Sequence, residues 1–286
     1  MAGAVVLQGR PLAQALNART RAAVDDARAR GLQPRVVDVI ASNDPGAASY
    51  VRSKEKSAAA LGITLDVRVF EPDTTQKTLD AALRQASADP SVHGIIVEFP
   101  LAKGLDADET LASIVAAKDV DGLTAENLGL LLSGREAAAL ASATAQSCIA
   151  LAEEAGGVAG KRVVIVGRGR TVGRPLIPLV VNRHGTVTVC HSKTPALPDV
   201  VRSGDVVMVA IGRAGMIGRE HVRAGQVVID AGINVVDGGL RGDVDAAAIE
   251  PIVAAYTPVP GGVGTLTTAY LFHNVMQAMR LQGLIA

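Results

Sequence analysis

Four side chains stand out for the chemistry they could carry: Tyr50, Lys54, Glu98 and Asp121. Tyr50 and Lys54 lie four residues apart in a segment patterned as a helix, so both project from one face. An ordinary surface helix shows such pairs too, but the context favours a site. The run Gly94-Ile95-Ile96-Val97-Glu98-Phe99-Pro100-Leu101 reads as a buried strand with Glu98 near its end. Ligands of open α/β sheets bind outside the carboxyl ends of strands. A glutamate in an apolar run is costly to bury unless paired, and Lys54 is the candidate partner. A solvated strand end is the other reading. Asp119 and Asp121, in Lys-Asp-Val-Asp-Gly, are candidates for holding a polar ligand. A carboxylate can accept two donors from an amino-pyrimidine edge, although Asp-Gly is also a common turn pair. Pro-Val-Pro-Gly-Gly-Val-Gly at 258–264, with Pro260, Gly261 and Gly262, reads as a side-chain-poor wall for a flat ligand, or as a plain connection.

A second constellation concerns a cofactor. Four apolar β-branched residues, Val163 to Val166, run into a turn with glycines at 167, 169 and 173 and a helix carrying Pro175 early. Gly167, Arg168, Gly169, Thr171, Val172 and Gly173 then form a loop that lets backbone approach a pyrophosphate, whose charge the helix N-terminus attracts. The spacing G-x-G-x-x-x-G is one residue longer than the dinucleotide fingerprint, so a tight turn of another α/β protein stays open. Enzymes that use NAD place an acid after the second strand. Here that strand ends Cys190-His191-Ser192-Lys193-Thr194, with no carboxylate. Hydroxyl and cationic groups suit a 2′-phosphate, with Arg168 adding a guanidinium, so NADP is favoured. Ordinary solvated charges at Arg168 and Lys193 are the alternative.

The elements that must position these groups alternate. Helical patterns at 10–31, from about 47 to 61, and at 75–87 are interleaved with strands at 35–41, 63–70 and 93–101. Such repetition implies parallel pairing through crossover helices. A turn at 42–46 precedes the helix that carries Lys54, and an Ala-rich stretch at 135–156 reads as a long helix bridging two domains. From Gly160 the pattern restarts, with strands at 186–190, 205–211 and 226–230. Residues 256–267 hold too many Pro and Gly for regular structure, and 267–281 reads as a final amphipathic helix returning to the first domain. The expectation is an α/β protein of two domains flanking a cleft, residues 1–136 plus 267–286 for substrate and 137–266 as a Rossmann-like dinucleotide domain.

Composition excludes several classes. Basic and acidic residues balance at 28 each, and aromatics are 2%, so neither nucleic acid nor an anionic membrane is an expected partner. No apolar run reaches the roughly 18 residues of a membrane span, and no secretory signal opens the chain. Cys148 and Cys190 lack metal-ligand spacing, the five histidines form no H-x-x-x-H pattern, and no metal is expected. A reduced cytoplasmic setting fits best.

In order along nearly the whole chain, Y-V-R-S-K-E-K, H-G-I-I-V-E-F-P-L, K-D-V-D-G-L, G-K-R-V-V-I-V-G-R-G-R-T-V-G-R-P, T-V-T-V-C-H-S-K-T, V-V-I-D-A-G-I-N, G-D-V-D and T-P-V-P-G-G-V-G resemble the methylenetetrahydrofolate dehydrogenase/cyclohydrolase family. The resemblance implies NADP-dependent oxidation of 5,10-methylenetetrahydrofolate to the methenyl compound, with tetrahydrofolate derivatives bound in the cleft. It implies that Tyr50 stacks along the folate, that Lys54 is the central catalytic group, and that Asp121 binds the pterin. Arg168 and Ser192 would contact the 2′-phosphate, with Ile233 of the A-G-I-N segment beside the cofactor, and the chain would form a homodimer through the dinucleotide domain.

Five segments depart from the family pattern. Glu98 stands where Gln is usual, Ser142-Ala143-Thr144-Ala145 replaces Pro-Cys-Thr-Pro, and Gly169 replaces Ser in the glycine turn. Thr265 and Leu266 replace Pro and Met, and Asn43-Asp44-Pro45-Gly46-Ala47 replaces D-x-P-A-S. A carboxylate beside Lys54 favours an ammonium that cannot act as base, so weakened hydrolysis of the methenyl compound is expected. Two other readings follow from the departures: an NADP-dependent reductase of another flat amine-containing substrate, and an NADP-binding protein without turnover.

Overall fold

The structure, a computed structural model, describes residues 3–42, 47–71 and 73–286, and side chains in the second segment from Val51 onward. The turn expected at 42–46 falls, after Ser42, outside the described residues, as does the Tyr50 side chain. In chain order the elements are β1 (Val5–Val6), α1 (Gly9–Ala29), β2 (Arg35–Ile40), α2 (Ala47–Leu61), β3 (Thr64–Val69), α3 (Gln76–Ala88) and β4 (Gly94–Val97). There follow α4 (Ala107–Ala112), α5 (Ala125–Leu132), α6 (Ala143–Glu154), β5 (Arg162–Val166), α7 (Gly173–Val181) and β6 (Thr186–Cys190). The last are α8 (Leu197–Ser203), β7 (Val206–Val209), β8 (Val227–Asp230), β9 (Asn234–Val236), β10 (Gly239–Arg241), α9 (Ala246–Ile249), β11 (Ala255–Tyr256) and α10 (Val263–Leu281).

The chain divides into two compact units. The smaller sheet belongs to the unit made of Ala15–Ala143 and Leu271–Ala286. Its order is β3-β2-β4, all parallel, with β2 in the middle. Val37 and Val39 of β2 and Ile95 and Val97 of β4 pack with Leu79 and Leu83 of α3 in its core. The other unit, Met1–Gln14 with Thr144–Tyr270, holds a six-stranded sheet in the order β1-β11-β8-β7-β5-β6, again parallel throughout. Strands β7 and β8 are buried along their whole length, as expected for a sheet covered on both faces. The order reverses direction beside β5, since β6 lies on one side and β7 on the other. This doubly wound arrangement makes the carboxyl ends of β5 and β7 the place for a ligand.

Three sequence expectations need correction. The first residues do not belong with the substrate unit: Val5 and Val6 pair with Ala255 and Tyr256, extending the larger sheet. Their backbone is held there by Val5 N–H donating to Ala254 O at 2.9 Å and Leu7 N–H donating to Tyr256 O at 2.8 Å. The long helix expected at 135–156 is a short 3-10 turn at Glu136–Ala138 and a separate α6 from Ala143. Asn127 interrupts it, its Oδ1 accepting the Leu140 N–H at 3.0 Å and so taking a donor the helix would need. Finally, regular structure resumes at Val263, not 267, because Gly262 N–H closes on Pro258 O at 2.9 Å and starts α10 early. Among the described residues no helix is long and apolar enough to cross a membrane.

Candidate active site

In the smaller unit, strand ends and one helix converge on Lys54. Helix α2 follows β2 and places Lys54, which is 8% exposed, over the sheet. Glu98 follows β4 directly, and its N–H still donates to Val39 O at 2.9 Å. Its carboxylate is ion-paired to the Lys54 ammonium. The expected Lys54–Glu98 pairing is therefore present in the geometry. A third member was not singled out from the sequence: Asp38, in the middle of β2, lies 2.8 Å from Lys54 Nζ. Its side chain is fully buried, and apart from this ion pair neither of its oxygens has a hydrogen-bond partner among the described residues. Burial pushes the Asp38 carboxyl up, with the Lys54 charge opposing. A sequence signal existed: an unexplained aspartate inside the apolar run R-V-V-D-V-I.

The two aspartates of Lys-Asp-Val-Asp-Gly separate cleanly. Asp119 is buried and used by the fold, its Oδ2 accepting from Thr124 N at 2.7 Å and Asn127 Nδ2 at 3.0 Å. Asp121 is half-buried and makes no hydrogen bond among the described residues. Desolvation pushes its carboxyl up to about 7, with Lys54 pulling down and Asp119 and Asp38 adding to the rise. If Asp121 must be ionised to accept two N–H donors, the KM for such a ligand should rise about tenfold between pH 8 and pH 6. The sign follows from the carboxylate being the binding form, which is depleted below 7. Steady-state kinetics over that range check it, and Asp121→Asn should flatten the profile.

In the larger unit a cavity of about 570 Å³ opens at the carboxyl ends of β5, β6 and β7. Gly167, Arg168, Gly169 and Ser192 line it, as do His191, Ile211, Arg213 and Met216, which the sequence reading did not single out. Gly167 has φ +122°, and a Cβ there would stand 2.0 Å from the Ala210 carbonyl oxygen. A Cβ on Gly173 would meet the Gly167 oxygen at 2.3 Å, whereas Gly169 faces open space. The serine usual at 169 is thus compatible with this turn. Thr171 and Val172 complete the loop before α7. Ile233 is 43% exposed, and a Cβ on Gly264 would stand 3.3 Å from its Cδ1. Pro260, Gly261 and Gly262 lie in the turn before α10, tied to Gly9, whose N–H donates to Gly261 O at 2.8 Å.

Two buried aspartates brace the cavity wall. Asp243 accepts from three successive backbone amides, Ile211 at 2.6 Å, Gly212 at 2.9 Å and Arg213 at 2.7 Å. Asp230 accepts from Gly232, Asp243 and Val244, at 2.9, 3.1 and 2.9 Å. Glycine is required beside them: a Cβ on Gly242 would lie 1.9 Å from Asp230 Oδ2, and one on Gly232 2.2 Å from the Asp243 carboxyl carbon. These contacts explain the A-G-I-N and G-D-V-D segments structurally.

The fold and these sites define a two-unit α/β protein: a doubly wound dinucleotide-type unit, and a parallel three-stranded unit with a lysine held between carboxylates. Residues 7–121 match the tetrahydrofolate dehydrogenase/cyclohydrolase catalytic domain, and residues 142–283 match that family's NAD(P)-binding domain. The chain belongs to the tetrahydrofolate dehydrogenase/cyclohydrolase family. It is 43% identical over 279 residues to the bifunctional protein FolD of Heliobacterium modesticaldum, covering 97% of this chain and 96% of that protein. The solved structure of the bifunctional FolD enzyme from Campylobacter jejuni is similar at TM-score 0.93 and 32% identity, covering 97% of this chain and 99% of that one. The Trypanosoma brucei enzyme, solved with NADP cofactor and inhibitor, is similar at TM-score 0.92 and 33% identity, covering 99% of each chain.

Proposed function

We propose that the protein oxidises 5,10-methylenetetrahydrofolate to 5,10-methenyltetrahydrofolate with NADP, and hydrolyses the methenyl product only weakly. The observation that carries this reading is Lys54 with Glu98 and Asp121 inside the unit that matches the family's catalytic domain. Residues 15–143 with 271–286 then form the substrate unit, and 144–270 with the N-terminal strand the cofactor unit. NADP supplies a nicotinamide that accepts the hydride. The donor set of the cavity fits it: Arg168, Ser192, His191 and Arg213 line the walls, and no carboxylate among the described residues does. Replacing Arg168 by Gln should raise the KM for NADP by about tenfold or more and leave that for NAD within about twofold. Parallel initial-rate assays with the two cofactors check it.

Hydride loss breaks a C–H bond between two nitrogens, and both electrons leave with the hydrogen, so the carbon becomes part of an amidinium cation. Asp38 and Glu98 together outweigh the charge of Lys54 by one, and Asp121 adds another when ionised. This surplus stabilises the developing cation. Lys54 has three donors, two directed to carboxylates, leaving one for a polar atom of the substrate. Asp121 takes the amino-pyrimidine edge, and the family resemblance assigns Tyr50 to stacking along the ring system.

The exposed hairpin supports a homodimer. Val235 of β9 pairs in register with Leu240 of β10, and these side chains are 75% and 44% exposed. A two-stranded hairpin with an uncovered apolar pair is marginal alone, and a second copy would cover it. Cys148 and Cys190 are free buried thiols, which supports a reducing, cytoplasmic setting. A spectrophotometric assay with methylenetetrahydrofolate and NADP or NAD tests the whole reading. NADP-dependent appearance of the methenyl absorbance is expected, and no reduction of either cofactor would overturn it.

A further inference from the structure

Asp38 is not among the residues that the family resemblance assigns, yet it is the most deeply buried member of the Lys54 cluster. Strand β2 is the central strand of its sheet, with Asp38 in register with Val67 on β3 and Ile96 on β4. Among the described residues, a charge in the middle of such a sheet is offset here by one group, the Lys54 ammonium at 2.8 Å. Glu98 approaches the same ammonium from the end of the neighbouring strand. Adjacent strands thus present two carboxylates to one nitrogen.

We propose that Asp38 is a positioning residue that, with Glu98, clamps Lys54 as an ammonium and so confines this site to hydride transfer. The inference rests on the folate reading above and deepens it. In hydrolysis a water oxygen bonds to the amidinium carbon as the C=N π pair returns to nitrogen, one water proton passes to a base, and one C–N bond then breaks with that nitrogen taking a proton. An amine can take that proton into its lone pair, and an ammonium gripped on two sides has none to offer. Among the described residues the charged groups paired with Lys54 are Asp38 from β2 and Glu98 from the end of β4, and its charge also acts on Asp121, which Asp119 opposes. Because either carboxylate alone still holds the cation, their removal should be strongly non-additive.

The test compares the full-length wild type with Glu98→Gln, Asp38→Val, Asp38→Asn and Asp38→Val/Glu98→Gln. Methenyltetrahydrofolate hydrolysis is followed by absorbance, less the spontaneous rate, and set against oxidation by the same preparation. Each single variant should raise hydrolysis relative to oxidation by no more than about threefold, and the double variant by roughly thirtyfold. Asp38→Asn, which keeps the side-chain shape, should behave as Asp38→Val and guards against a packing effect. A second readout needs no folate: acetylation of Lys54 by acetic anhydride, measured by peptide mass spectrometry against exposed Lys103, should accelerate in the same order. A full gain from Glu98→Gln alone would overturn the proposal, and so would unchanged Lys54 acetylation in the double variant. Wild-type protein that fails to oxidise methylenetetrahydrofolate would overturn the folate reading instead, and the acetylation order would still judge the clamp.

Discussion

Lys54→Met should melt roughly 6–12 °C below the wild-type protein, reflecting a loss of about 3 kcal/mol. The reason is Asp38. Its carboxyl is fully buried, and the Lys54 ammonium is the only group paired with it among the described residues. Removing one member of a buried pair leaves an uncompensated charge, which costs far more than the pair contributed. Burial already pushes the Asp38 carboxyl up, so the variant will relieve itself by taking a proton. Removing both members should therefore recover most of the loss, because valine suits the middle of a buried parallel strand. Thermal melts of Lys54→Met and Asp38→Val/Lys54→Met measure this directly. Equal melting temperatures for the two would show that Asp38 does not depend on Lys54. A lysine that serves only in catalysis would show no such rescue.

The second large effect is expected at the glycine turn. Gly167→Ala should weaken NADP binding by about 100-fold or more and destabilise the larger unit by about 3 kcal/mol. The backbone there has φ +122°, which side chains rarely adopt, and the new Cβ would meet the Ala210 carbonyl oxygen at 2.0 Å. Relief would push the end of β5 away from the end of β7, the two strands that frame the cavity. Gly169→Ser is the informative contrast. Nothing lies within 4 Å of a Cβ at 169, so binding should stay within about twofold of wild type. Titration of both variants with NADP, followed by fluorescence or calorimetry, decides the point. Similar losses at the two positions would mean that the turn is generally intolerant and not sterically locked at Gly167.

Much of this was legible in the sequence because each signal was local. Apolar runs such as Val163–Val166 and Val206–Val209 can be read from neighbouring residues alone, and so can the glycines that end them. The Lys54–Glu98 pairing was reachable because a carboxylate in an apolar strand demands a partner, and Lys54, sharing a helix face with Tyr50, was the candidate. The same reasoning applied to Asp38 would have found it, but one acid in a longer apolar strand passes for a tolerated exception. What stayed hidden depended on distant partners. Asn127 shows this plainly: from 13 residues away its side chain breaks an Ala-rich stretch that propensity alone reads as helix. Likewise Val5 and Val6 carry no sign that their partners are Ala255 and Tyr256.

The way Asp243 holds Ile211, Gly212 and Arg213 has a further consequence. Every one of those bonds is made to main-chain nitrogen, so the path of the loop does not depend on the side chains of Ile211 and Arg213, although Gly212 between them, at φ +65°, is fixed as glycine. Arg213 and Ile211 face the cavity as interchangeable fittings on a fixed frame. Substitutions at these positions can retune which dinucleotide is preferred while the wall itself keeps its shape. Cofactor choice in this chain is therefore a property that selection can change quickly, one side chain at a time, without first solving a folding problem.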